Sequence, residues 1–532
     1  MNLIRKISLT LLLLPGCAAN LAAQNLPVEI EAVAVPSQLL GHDVNVSVVI
    51  PQGADSLRYP VAYMLHGIGG DNSSWLEYGD IARTMQRLVD SGEIAPMVIV
   101  MPDGYLSYYS DAADGSLPYE SFFTTELMPW VESTLPVIID KATGHTPAAT
   151  TSIGGFSMGG FGALTLGLRH PDRFGAIAAL SPSIRTDEQF TSEGPQEEFD
   201  KQWGRTFGAA GKTGNDRLTP YYLARSPYHI LQNLPSTFGQ RLLIDIGDRE
   251  NTLAESNEEL HRLLLDRHIP HTYRVRGGGH DFDCWNSALP SALRLFSPDP
   301  SSPEAAEACM GAIYRGRVIG DDIPSGSGRD ISRPYSSDSI EPQAISASEL
   351  WLPSANPESR RKYPVLYVGG TIPAPLRRAL AENADSLAST GAIAPLAICF
   401  LGAEDTPQTI EALRPELRQS QRMRAYLAVD EPISRFNSLH RDANLFTAAI
   451  LYHPQGNEAQ ADEAAKIICS HGRYPRLWIV QTPDSPSYPL ASRLHILLRQ
   501  SDRSHKYRIL PSSPILDHWE GWLRYLNARI HI

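Results

Sequence analysis

Ser152-Ile153-Gly154-Gly155-Phe156-Ser157-Met158-Gly159-Gly160 is the stretch whose reading decides the fold. Gly155–Gly159 spells G-x-S-x-G and runs into a helix-like segment over Gly162–Arg169. A serine at a sharp passage from strand to helix presents its hydroxyl at the C-terminal edge of a parallel sheet. Small flanking residues give such a turn its backbone clearance. The motif alone is a weak signal, so the elements on either side carry the argument.

Upstream, the apolar run Val61–Leu65 leads into His66-Gly67-Ile68-Gly69-Gly70. A Gly-rich loop in that position can aim a backbone N–H at a developing oxyanion. The expected donors are the N–H groups of Ile68 and Met158. Downstream, Gly277-Gly278-Gly279-His280-Asp281 puts a histidine on a flexible turn after a strand. In the chain order Ser, acid, His, that histidine is the base for Ser157. The acid follows the strand Leu242–Ile246, where Glu250 and Asp248 are the two candidates. Trp75, Trp285 and His66 are candidates for substrate contact, since rings near such a site can stack on sugars or phenolic groups.

Short, continuous apolar runs (Val61–Leu65, Met97–Met101, Ala176–Leu180, Leu242–Ile246) read as strands buried on both faces. Helical spacing separates them at Ile81–Leu88, Gly162–Arg169 and Glu255–Leu265. The alternation predicts an α/β fold, a mostly parallel sheet with helices on both faces. The segment Ser183–Arg241 reads as a long insertion, with Trp203, Tyr221 and Tyr222, that could cover the site.

Residues 40–297 resemble an esterase family of α/β-hydrolases that includes esterase D (S-formylglutathione hydrolase), feruloyl esterases and mycolyltransferases. The resemblance rests on Tyr59-Pro60-Val61 leading to His66-Gly67, Glu126-Leu127-Met128-Pro129, Gly155–Gly160, Ser226-Pro227-Tyr228, and Gly279-His280-Asp281 with Trp285. It implies the α/β-hydrolase fold and a serine esterase acting on short-chain, feruloyl or acyl-sugar esters without metal or cofactor. The family usually places Asp where this chain has Glu250, so both acids stay open. Mycolyltransferase-like members are similar in using Glu, and acyl transfer is the close alternative. A non-catalytic binding protein with two hydrolase-like modules is the rival of a different class.

The chain also resembles itself. Tyr59-Pro60-Val61-Ala62-Tyr63 recurs as Tyr363-Pro364-Val365-Leu366-Tyr367. At an offset of 234, Leu260-His261 matches Leu494-His495, His271 matches His505, Tyr273-Arg274 matches Tyr507-Arg508 and Trp285 matches Trp519. This predicts two tandem copies, 25–300 and 330–532, joined by a Pro/Ser/Gly-rich linker over 301–329. In the second copy Gly370 stands for His66 and Pro514 for His280, and no serine motif is found, so it reads as degenerate and non-catalytic. The same offset sets Glu250 against Asp484, and Asp248 against Thr482.

Across its 532 residues the chain carries a net charge of −13, which argues against a general nucleic-acid binder. Arg5 and Lys6 followed by Ile7–Leu14 read as an export signal, ending near residue 23 and too short to span a bilayer. Leu14-Pro15-Gly16-Cys17 leaves a lipid anchor at Cys17 as the alternative. The expectation is an exported, periplasmic or extracellular protein. Five cysteines are too few for a disulfide scaffold; Cys284 with Cys309 is the expected pair and Cys399 is expected in the core.

Overall fold

The computed structural model describes residues 28–530 except 52–56, 235–238, 251, 298–341, 355–363, 391, 415–416, 418–423, 442–444, 471–474, 483–484, 502 and 511–513. The expected export signal with Cys17, the linker with Cys309, and Asp484 lie outside the described residues.

The first half contributes β1 (Val28–Val35), β2 (Val44–Ile50), β3 (Val61–Leu65), β4 (Val98–Pro102), β5 (Thr151–Phe156), β6 (Ala176–Leu180), β7 (Arg241–Gly247) and β8 (Thr272–Arg276). Their spatial order is β1-β2-β4-β3-β5-β6-β7-β8. β2 pairs antiparallel with both β1 and β4, and the remaining pairs are parallel. β3 shows why the sheet is buried on both faces. Val61, Tyr63 and Leu65 enter the core on one side, with Phe161 and Leu164 of the helix Met158–Arg169. Ala62 and Met64 enter the core on the other, with Met85 of Ile81–Asp90 and Leu289 of Phe282–Phe296. A period of two with both faces apolar requires helices above and below. This half has the α/β-hydrolase fold.

The second half supplies β9 (Gln343–Ile345), β10 (Ser348–Trp351), β11 (Val365–Gly370), β12 (Ala397–Phe400), β13 (Arg424–Val429), β14 (Ala448–Tyr452), β15 (Arg476–Gln481) and β16 (His505–Ile509). Their order, β9-β10-β12-β11-β13-β14-β15-β16, repeats that of the first half strand for strand. The two sets join edge to edge where β16 pairs antiparallel with β8 through Ile509 and Val275. Helix Thr252–Asp266 packs against Tyr488–Gln500 beside that seam. On this face the hydrophobic core runs from one half into the other.

Candidate active site

β5 ends at Phe156 and the next residue turns sharply. Ser157 has φ 55° and ψ −117°, a conformation L-residues rarely adopt, and Met158 then opens a twelve-residue helix. The strain is held in place by Ser157 N–H donating to Leu180 O at 2.9 Å, and by close packing of the glycines. A Cβ on Gly159 would stand 2.4 Å from Leu65 O. The elbow therefore leans directly on the end of β3. Ser157 Oγ lies 2.8 Å from His280 Nε2, and His280 Nδ1 lies 2.9 Å from Glu250 Oε2. Nδ1–H donating to the carboxylate leaves Nε2 to accept from the serine hydroxyl. Glu250 is buried, while the His280 side chain is 40% exposed, so the couple opens to solvent on the histidine side. Of the two candidate acids it is Glu250 that reaches the imidazole. Asp248 points to the neighbouring loop and accepts from Gly278 N–H at 3.1 Å.

The loop after β3 lies against the serine. A Cβ on Gly67 would come within 3.1 Å of Ser157 Cβ. Ile68 follows at the exposed tip, and Met158 N–H is a first-turn donor with no acceptor in its own helix. Both groups thus border the nucleophile. Three residues expected to touch substrate are placed otherwise. His66 is buried with both ring nitrogens used: Nε2 accepts from Gly104 N–H at 2.7 Å and Nδ1–H donates to Gly67 O at 2.8 Å. It ties the loop to the segment after β4 instead of facing the site. Trp75 is buried in the core, with Nε1–H donating to Leu65 O and its ring edge-on to Phe156 and Phe282. Trp285 is buried too, stacked on Phe156 with centroids 4.1 Å apart. It stands edge-on to His280 and donates to Ser181 Oγ, so it forms a floor under the histidine. Tyr109, one of the aromatic residues the sequence places near the site, braces the same loop: its hydroxyl both donates to His66 O and accepts from His66 N–H. Tyr105, Tyr108 and Tyr109 all have positive φ, an unusual concentration of strain beside a site.

The family profile described as "Putative esterase" matches residues 37–296. This half belongs to the Putative esterase family. Among its relatives is an acetyl esterase of Caldicellulosiruptor saccharolyticus, 25% identical over 250 residues, covering 46% of this chain and 85% of that one. An endo-1,4-beta-xylanase/feruloyl esterase of Xylanibacter ruminicola is 29% identical over 169 residues, 30% of this chain and 22% of its own. A solved ferulic acid esterase is 28% identical, with a TM-score of 0.42, covering 52% of this chain and 98% of its own. The esterase half is a carboxylic ester hydrolase domain.

Two further features of the esterase half differ from expectation. Cys284 is a free thiol buried beneath Gly247 and Gly278, and burial pushes its thiol well above the usual range. It faces the protein interior and so does not make the expected bridge; Cys399 is buried in its strand. In the insertion, Trp203 and Tyr222 are fully buried. Trp203 packs on Tyr108 at 4.2 Å and so anchors the insertion to the domain, while Tyr222 stacks on Phe190 at 3.7 Å within the insertion's own core.

The second half keeps the elbow without the serine. Asp430 follows β13 with φ 49°, and its N–H donates to Tyr452 O at 3.0 Å, repeating the bond made by Ser157. Its neighbour His453 has φ 49°, repeating Ser181 at φ 43°. The two side chains approach to 3.3 Å. Ser434 lies inside the helix Ile433–Arg441. His518 lies in the helix Ile515–Ile530, with its ring stacked on Trp522. Strand register sets Asp245 against Val480, which puts Thr482 level with Gly247 instead of Asp248.

Proposed function

We propose that the esterase half is an exported serine hydrolase in which Ser157, His280 and Glu250 act as a triad. The observation that carries this is the continuous relay of contacts: Ser157 Oγ 2.8 Å from His280 Nε2, and His280 Nδ1 2.9 Å from Glu250 Oε2. Ser157 Oγ attacks the ester carbonyl and its proton passes to His280 Nε2. Glu250 holds the Nδ1–H and stabilises the imidazolium. Ile68 and Met158 N–H groups receive the oxyanion, each worth about 3 kcal/mol by analogy with other acyl-transfer sites. The proton returns to the departing alkoxide, and water activated by His280 then frees the acid from Ser157.

Acyl esters of plant-type carbohydrate, acetyl or feruloyl, are the substrates that the named relatives suggest. Residues 330–532 act as a non-catalytic partner domain, since Asp430 stands where the nucleophile would be. Export rests on the charged and apolar pattern of residues 1–23. No helix among the described residues is long and apolar enough to cross a membrane.

The test is hydrolysis of nitrophenyl acetate, methyl ferulate and acetylated xylan by the chain and by Ser157→Ala. Turnover that falls at least about 10³-fold in the variant supports the triad. Equal turnover in both proteins refutes it.

A further inference from the structure

We propose that Arg508, on β16 of the second half, is a positioning residue for the His280–Glu250 couple of the first. The inference rests on the triad reading above and adds to it a working role for the partner domain.

Glu250 and His280 sit on two different loops, those after β7 and β8, so their 2.9 Å contact depends on how those loops are held together. Asp248 is the pin. Its N–H donates to Arg276 O at 2.7 Å, and its Oδ1 accepts from Gly278 N–H at 3.1 Å. Arg249 N–H donates to Gly278 O at 2.8 Å. Asp248 thus lies two residues before Glu250 and binds the backbone two residues before His280. Its carboxylate is 5% exposed and would be costly to bury alone.

The balancing charge comes from the other half. Arg508 Nη1 donates to Asp248 Oδ2 at 2.8 Å and to Tyr507 O at 2.7 Å. The Arg508 side chain is itself 11% exposed and lies against the turn: a Cβ on Gly277 would stand 2.4 Å from Nη2. The pair spans the seam, and a side chain at Gly277 would collide with the guanidinium. Removing Arg508 leaves a buried carboxylate without its partner at the hinge of both catalytic loops. The loops must then part to admit water, and the serine–histidine–acid geometry loosens with them. A misplacement of about 1 Å at a catalytic couple costs on the order of 100-fold in rate.

The experiment compares the full chain with Arg508→Met, Arg508→Lys, Asp248→Asn/Arg508→Met and Arg262→Ala, all checked for folding by circular dichroism. Arg262 meets Glu458 across the same seam at an exposed pair, away from both loops. Ester kcat and KM are measured alongside labelling of Ser157 by a fluorophosphonate probe. Arg508→Met should lower kcat and labelling rate about 10- to 100-fold with KM within about twofold. Arg508→Lys and the double variant should each recover most of the loss, and Arg262→Ala should match wild type. A folded Arg508→Met with wild-type kcat overturns the proposal. So does a loss that Arg262→Ala reproduces, or one that appears in KM alone. If the wild-type chain is not labelled at Ser157, the triad reading falls and this inference with it. Labelling of wild type and not of Ser157→Ala, with an unaffected Arg508→Met, overturns the inference alone.

Discussion

Replacing Glu258 by glutamine should stabilise the chain at pH 8 and leave it unchanged near pH 4.5. Glu258 is fully buried at the seam, where it accepts hydrogen bonds from Tyr273, Tyr488 and Ser492. Burial pushes its carboxyl from the ordinary 4.5 up to about 7, and the hydroxyls only partly oppose that shift. A carboxyl whose folded value is raised contributes stability that is full below pH 4.5 and lost as pH rises through 7. Between those values the unfolded chain ionises while the folded chain holds its proton. The loss is about 1.4 kcal/mol per pH unit, or roughly 3 kcal/mol over the window. The amide of Glu258→Gln keeps the shape and an acceptor for the hydroxyls and does not titrate. The variant's advantage should grow from about zero at pH 4.5 to as much as ~3 kcal/mol at pH 8. Urea unfolding of both proteins at four pH values reads this difference directly. Four seam histidines titrate too, but burial holds His261 near 2 and His505 near 4, and all four are common to both proteins. A difference that does not change with pH, or one that is larger in acid, would refute the reasoning.

Two other outcomes follow from the site. Glu250→Gln should lower kcat by about 10²- to 10⁴-fold, because the amide no longer stabilises the imidazolium, whereas Asp248→Asn should lose at least tenfold less; comparing the two kcat values checks the choice of acid. Gly159→Ala forces a methyl to within 2.4 Å of Leu65 O, so it should cost about 1–3 kcal/mol in thermal unfolding and abolish fluorophosphonate labelling.

The parallel strands were legible because strands buried on both faces must be continuously apolar, as Val61–Leu65 and Ala176–Leu180 are. Short matches predict a repeat, and strand order in the second half has the same permutation as in the first. Side-chain direction was not legible. His66 and Trp75 stand next to motif residues in sequence, yet each donates to backbone inside the scaffold. A polar or aromatic residue beside a catalytic motif is as useful for holding the loop as for meeting substrate. The elbow at Asp430 was missed because the reading relied on flanking glycines. The backbone keeps its positive φ there through the bond to Tyr452 O, with Ala428 and Pro432 in place of Gly155 and Gly159. Nothing local could disclose Arg508, because its partner is in the other half of the chain.

The seam itself explains why the repeat matters to the site. Val275 and Ile509 occupy the same column of the repeat, and they pair with each other across the sheet. Glu258 and Ser492 also share a column, and Ser492 donates to Glu258 at 3.0 Å. Equivalent positions that meet are the mark of an approximate two-fold axis, here lying between β8 and β16. Two carboxylates facing across such an axis would repel, and the chain holds a carboxyl on one side and a hydroxyl on the other. The histidine pairs repeat as well: His261 approaches His271 at 2.5 Å and His495 approaches His505 at 2.7 Å, each outer ring donating to a backbone carbonyl. Each half would present an open strand edge alone, and each covers the edge of the other. Separating them would expose β8 and strip Glu258 of Tyr488 and Ser492, and Asp248 of Arg508. The loops that carry Glu250 and His280 begin at the ends of β7 and β8, so the second half supports the loops on which the proposed triad depends.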